Sequence, residues 1–404
     1  MRAFCLLPLA LVLLSPSFAH AQIAVRGRLV HTMQGPPIAD GIVVIRDGKI
    51  VAVGRAADVP VPAGFRTISA AVVTPGLIDA HSVVGLSGIL NQRQDQDQLE
   101  RSEPIQPELR AIDAYNPQDP LIAWLRSFGV TTLHTGHAPG ELISGQTTIV
   151  KTTGNTVEDA LVVESAALAA TLGPAAQKVG DKSPGTRAKM LAMLRGELVK
   201  AEAYRAKRAA APADQRPERN LRLDVLAELL EGKRPLLITA HRAQDIASAL
   251  RLAREFKLRM ILDGAAEATL VIDQIKAAGV PVILHPTMIR AVGEAENMSF
   301  ETAARLRAAG ISVALQSGYE SYVPKTRVVL FEAAVAAANG LGFEAALATI
   351  TRDAAQILGI ERRVGSLGVG MDGDVALFDG DPFEYTSHCI GTVINGQVVS
   401  EGSH

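Results

Sequence analysis

Short apolar runs separated by turn residues mark both ends of the chain and predict strands. At the N-terminal end the runs are residues 23–30, 41–46 and 49–53, with Asp47-Gly48 as the hairpin turn between the last two. At the other end, 373–378 leads into the turn Asp379-Gly380-Asp381-Pro382. Residues 391–394 then turn at Asn395-Gly396 into 397–399. Two β-rich ends around a different middle predict one small β-domain built from residues 22–74 and 365–404.

Between 75 and 364 the rhythm changes. Apolar runs near 76–81, 129–134, 147–151, 165–172, 236–241, 258–263, 280–285 and 311–316 alternate with alanine-rich amphipathic stretches, among them 242–256, 267–278, 300–309 and 328–339. Such alternation predicts parallel βα units. The eight runs predict an α/β fold, a (β/α)8 barrel of the TIM type over 75–364. Residues 173–235 read as an insertion with a helix at 186–209, open as a lid or a dimer arm.

Composition narrows the class. With 404 residues and 48% hydrophobic content the chain can bury a large core, and 4% aromatic content argues against a binding module with aromatic platforms. A formal net charge of −2 gives no electrostatic reason to expect nucleic acid or an anionic membrane as partner. Residues 1–21 read as a secretory signal: Arg2, an apolar stretch at 5–14 too short to span a bilayer, then Ala19-His20-Ala21. Cleavage after Ala21 predicts a periplasmic or secreted protein, with no membrane partner once the signal is gone. Cys389 would then be the remaining cysteine, with no internal disulfide. The expected partner is a small-molecule substrate, and a homo-oligomer stays open.

Chemistry enters through histidine. Of nine histidines, His81, His134, His137, His241 and His285 each fall at or just beyond the C-terminal end of a predicted strand. In a (β/α)8 barrel those ends share one face, the face that carries catalysis. Each of the five also has a plain reading as a hydrogen-bonded strand end. Gly140 to Thr147 is either a loop offering backbone N–H groups or an ordinary turn, and Gln94-Asp95-Gln96-Asp97-Gln98 reads as a solvated lid segment.

Four stretches carry a resemblance. They are residues 40–54 (Asp40-Gly41 through Val53-Gly54), Thr74-Pro75-Gly76-Leu77-Ile78-Asp79-Ala80-His81, Thr239-Ala240-His241-Arg242-Ala243-Gln244-Asp245, and residues 364–378 around Met371-Asp372-Gly373-Asp374. On these the chain resembles the amidohydrolase superfamily, most closely its imidazolonepropionase-like branch. The resemblance covers nearly the whole mature chain. It implies a metal-dependent (β/α)8 barrel beside a β-sandwich made from both termini, with ligands from strands one, four, five, six and eight. His81 matches the first ligand and His241 the strand-five histidine. Val83, Gly264 and Gly318 stand where other donors belong, and Lys151 is either a bridging lysine or a surface or phosphate-facing one. Two ligands are too few for a catalytic zinc, which keeps three protein donors and an open position.

The expected site therefore places His81, His241 and His134 on a divalent ion, zinc by expectation, one ion at most. It makes His285, His137 and Tyr319 catalytic and gives Arg327 and Gln316 to the substrate. Asp263, Glu267, Tyr319 and Glu320 are candidates to replace the missing base. Two functions compete. One is an exported hydrolase of C–N bonds in small amides, cyclic amides or dipeptide-like molecules. The other is a catalytically degenerate barrel that binds small molecules or acts as a scaffold.

Overall fold

The computed structural model describes residues 22–90, 92–180, 182–319 and 327–402. The predicted signal, Glu320 and residues 324–326 lie outside them. Four N-terminal strands, β1 (Ile23–Val30), β2 (Ile38–Arg46), β3 (Lys49–Arg55) and β4 (Arg66–Pro75), come first. Ten follow in the middle: β5 (Leu77–Ser82), β6 (Val130–Thr135), β7 (Ile143–Gln146), β8 (Thr148–Lys151), β9 (Leu161–Val163), β10 (Leu168–Thr171), β11 (Leu236–Ala240), β12 (Met260–Gly264), β13 (Val282–Leu284) and β14 (Val313–Leu315). The last three are β15 (Val375–Phe378), β16 (Cys389–Ile394) and β17 (Gln397–Glu401).

Both ends of the chain join one seven-stranded sheet, in the order β17-β16-β15-β4-β1-β2-β3. The expectation from sequence is a sandwich; the hydrogen-bonded pairing is that of a single sheet with its own apolar cluster, including Val25, Ile45, Val375 and Val393. Asp47 and Gly48 both have positive φ, as do Asn395 and Gly396. That is the backbone a two-residue hairpin turn demands. The strand β4, unforeseen in the sequence, pairs with β15 and delivers the chain to β5 through Gly76. A Cβ on Gly76 would lie 2.2 Å from Thr131 Oγ1, so the crossing requires glycine.

The middle strands form two sheets, β14-β13-β12-β11-β10-β7 and β5-β6-β8-β9. Strands β10 to β14 run parallel, as do β5 and β6. The continuous run from β7 into β8 connects the two sheets, pairing antiparallel with β10 on one side and β6 on the other. On the far side Gly318 N–H donates to His81 O at 3.1 Å, and Ser82 bridges Gly318 in parallel. This mixed α/β arrangement places strands near each of the eight predicted runs. The third run is not parallel as expected. Residues 136–142 are too short for a crossover of a dozen or more residues, so the chain must return antiparallel.

The insertion packs on the body of the fold. Its long helix, Arg187–Ala210, buries Met190, Leu191, Leu194, Leu198, Ala201 and Tyr204. Most of those side chains belong to the main hydrophobic cluster. Arg187 and Arg195 pair with Asp245 and Glu255 on the helix Ala243–Phe256. The segment thus supplies the helical layer between β10 and β11.

Candidate active site

Strand alternation builds the site. A small cluster between the strands holds Ile78, Ala80, Ile149, Ala167, Leu237, Ile261, Ile283 and Ala314. Two residues further along, on the same face of four of these strands, stand Thr239, Asp263, His285 and Gln316. All four are buried. The apolar floor and the polar head are therefore the two ends of one set of inward positions.

Asp263 is the hub of that head. Its Oδ1 accepts from His81 Nδ1 at 3.0 Å and from Gln316 Nε2 at 2.8 Å, and its Oδ2 accepts from Thr239 Oγ1 at 2.6 Å. Thr239 and Asp263 are register partners in β11 and β12, so both project to the same side. Asp79 ties the neighbouring edge, its Oδ1 accepting from Ser317 N–H at 3.0 Å and His81 N–H at 3.3 Å.

The histidines divide by their partners. A carboxylate or carbonyl only accepts, so the ring nitrogen facing it carries the proton. His81 thus donates from Nδ1 to Asp263, and its Nε2 is buried with no protein hydrogen bond. His285 donates from Nδ1 to Pro286 O at 2.7 Å, which leaves a buried, unpartnered Nε2 with its lone pair. His134 is used at both nitrogens, Nδ1 by Ala80 O at 2.6 Å and Nε2 by Thr147 Oγ1 at 2.7 Å. His137 packs against Gly145. His241 packs over Gly264, with Nδ1 buried and unpartnered.

Electrostatics follow burial and pairing. Burial opposes charge on His81, but Asp263 and then Asp79 outweigh it and raise the pKa above the ordinary value. Burial likewise pushes the Asp263 carboxyl up, and His81, Thr239 and Gln316 together hold it below the ordinary range. Burial lowers His134 to about 3, the His81 charge adding to the effect. It lowers His137 and His285 each to about 4, and lowers His241. Asp79 is driven up to about 6, again by burial.

Several expectations need correction. Gly264 and Gly318 are not the inward positions of their strands; Asp263 and Gln316 are. Gln316, expected at substrate, is committed to Asp263 and to Ile283 O. Lys151 lies at the opposite end of the strands, paired with Asp374 and, at 3.0 Å, with Asp372. Residues 140–147 are buried throughout and include strand β7, so they form neither an open loop nor an ordinary turn. Within 94–98, Gln98 is not solvated: it is buried and donates to Tyr319 Oη at 3.1 Å. Arg327 lies against the turn after β13, donating to Met288 O at 3.1 Å, with Glu332 at 3.6 Å. Glu267 instead binds Arg242, Asn297 and Ala243 N–H.

The donor set also does not fit a metal centre. His134 has no lone pair left, and Val83 is buried and apolar. Among the described residues no three His, Cys, Asp or Glu side chains gather so that they could hold an ion. What the sequence did not reveal is the set of supports: Thr239, Asp79 and Thr147, whose only signal is their two-residue spacing from a histidine or their place on an apolar strand.

The fold is mixed α/β, with histidines at several strand ends. The sequence profile of the Amidohydrolase family matches residues 326–400. An amidohydrolase from Thermotoga maritima MSB8 superposes with a TM-score of 0.89 at 27% identity, covering 94% of this chain and 100% of that one. A zinc-bound adenosine deaminase from Xanthomonas campestris shares the fold at a TM-score of 0.56 and 16% identity, covering 94% of this chain and 92% of its own. Amidohydrolase tasK of Hapsidospora irregularis is 26% identical over 391 residues, 85% of this chain. The chain spans only 38% of that relative's length. These matches support the amidohydrolase superfamily, whose members generally use a divalent metal.

Proposed function

We propose that the protein hydrolyses the C–N bond of a small amide, cyclic amide or dipeptide-like molecule. The observation that carries this reading is the buried lone pair of His285 Nε2, fixed by the Nδ1 bond to Pro286 O, at the head of an amidohydrolase fold. Water attacks the amide carbon and gives its proton to His285 Nε2. The C–N bond breaks, and the leaving nitrogen takes a proton from His81 Nε2. Acid and amine depart, and a proton passing from His285 to His81 restores both rings. Asp263 favours the His81 imidazolium, protonated at both ring nitrogens, which this donation needs, and no step is assigned to a metal.

The reading includes residues 75–364 as one eight-position barrel, flanked by a β-domain from 22–74 and 365–404. It also includes export by the 1–21 signal, a place in the imidazolonepropionase-like branch and a small-molecule partner. His137 and Tyr319 would line the site, and Arg327 would meet the substrate only by leaving Met288 and Glu332. A second reading, a binding or scaffold protein, is favoured by one observation: every donor on Asp263 is already a protein group.

The test is amine release from a panel of N-acyl amino acids, dipeptides and cyclic amides, with His285→Gln beside the wild type. Release that falls at least about 100-fold in the variant supports hydrolysis through His285. No release from any member of the panel overturns it in favour of the binding reading.

A further inference from the structure

We propose that the head of this barrel is a metal-free centre in which the Asp263 carboxylate, held by three protein donors, ties the strands together as an ion otherwise would. The argument counts donors. Both Asp263 oxygens are engaged, Oδ1 by His81 and Gln316, Oδ2 by Thr239. Those partners come from β5, from β11 and from the residue after β14, so one carboxylate joins three elements to β12. A cation approaching Asp263 finds three of the roughly four acceptor sites of its carboxylate taken, and any donor it displaces is buried with no water-facing alternative. His134 has both nitrogens occupied, and His285 has one.

The unpartnered ring nitrogens of the site histidines, His81 Nε2, His137 Nδ1 and Nε2, His241 Nδ1 and His285 Nε2, are buried, yet they form no three-donor group with any described His, Cys, Asp or Glu. Isolated imidazole nitrogens suit an organic ligand, met one hydrogen bond at a time. They do not suit a divalent ion, which needs three or more donors at about 2.0–2.2 Å. The ligand class is a small neutral or anionic molecule with carbonyl or carboxylate oxygen and N–H groups. This concerns the same site as the hydrolase reading but does not depend on turnover.

The experiment is metal analysis of the untagged full-length protein after growth with added zinc, followed by zinc chloride titration read as a shift in Tm. His81→Asn and Asp263→Asn are measured in parallel, each checked for fold by circular dichroism. The expected result is fewer than about 0.2 equivalents of metal and no zinc-dependent rise in Tm, since only binding to the folded state raises it. Metal that persists unchanged in both variants lies elsewhere and also supports the proposal. About one equivalent in the wild type that is lost in either folded variant overturns it. The two readings separate cleanly. A metal-free protein that releases no amine sinks hydrolysis and leaves this centre standing, whereas a protein that turns over and loses its zinc in either folded variant does the reverse.

Discussion

Thr239 and Asp263 face each other across the parallel register of β11 and β12, and the Thr239 hydroxyl donates to Asp263 Oδ2 at 2.6 Å. Replacing Thr239 by Val keeps the shape and removes the donor. The carboxylate oxygen is then buried without a partner, at a cost of about 1–3 kcal/mol. Urea unfolding of Thr239→Val checks this. A midpoint equal to the wild type's would mean that the hydroxyl does not hold the carboxylate.

His285→Gln addresses chemistry separately from folding. Glutamine can still donate to Pro286 O but offers no basic nitrogen. If His285 takes the proton from water, kcat falls by about 10²–10⁴-fold while KM changes little. Steady-state kinetics on any substrate from the amide panel decides, and an unchanged kcat would remove His285 from the mechanism.

Gly264 has φ of 80°, and a Cβ there would lie 2.8 Å from His241 Cε1. Gly264→Ala therefore combines left-handed backbone strain of about 1–2 kcal/mol with displacement of the His241 ring. A lowered Tm together with weakened binding of a substrate analogue is expected. Wild-type affinity in this variant would show that His241 does not meet the ligand.

Glu332 supplies the pH dependence. It is wholly buried, its Oε2 accepts from Met288 N–H at 2.8 Å, and burial drives its pKa up to about 7 against an ordinary 4.5. Arg327 pulls the value down, and Asp79 pushes it further up. Because the folded value lies above the unfolded one, the stabilisation is complete below pH 4.5 and is lost as pH rises from there through about 7. The loss is on the order of 3 kcal/mol. Glu332→Gln should flatten the Tm profile between about pH 5 and 8 and leave the variant more stable than wild type at the upper end. Parallel profiles would show that Glu332 is not the titrating group.

Much of this architecture is legible in the chain. The runs near 236–241, 258–263 and 280–285 are strands because apolar pairs alternate inward and outward, and the helix predicted at 242–256 is found at Ala243–Phe256. Histidine positions at strand ends follow from the same alternation. What could not be read is register. The Gln316–Asp263 contact spans 53 residues and the His81–Asp263 contact 182. No local pattern says which of two adjacent residues, Asp263 or Gly264, turns inward. Glu332 did leave a signal, a lone acid among Val329, Leu330, Phe331, Ala333 and Ala334, although periodicity alone gives it no partner. The antiparallel third run was legible in principle from the short span 136–142.

Lys151 is a core residue whose counter-charges are made late. It is buried, and its counter-charges, Asp372 and Asp374, follow more than two hundred positions later in the chain, at the gate of β15. A ribosome releases the middle strands first, so the ammonium waits without compensation until the final strands arrive. Products cut short before 372 would carry a naked charge in the protein's base. Such fragments should be softer to proteases than the full chain.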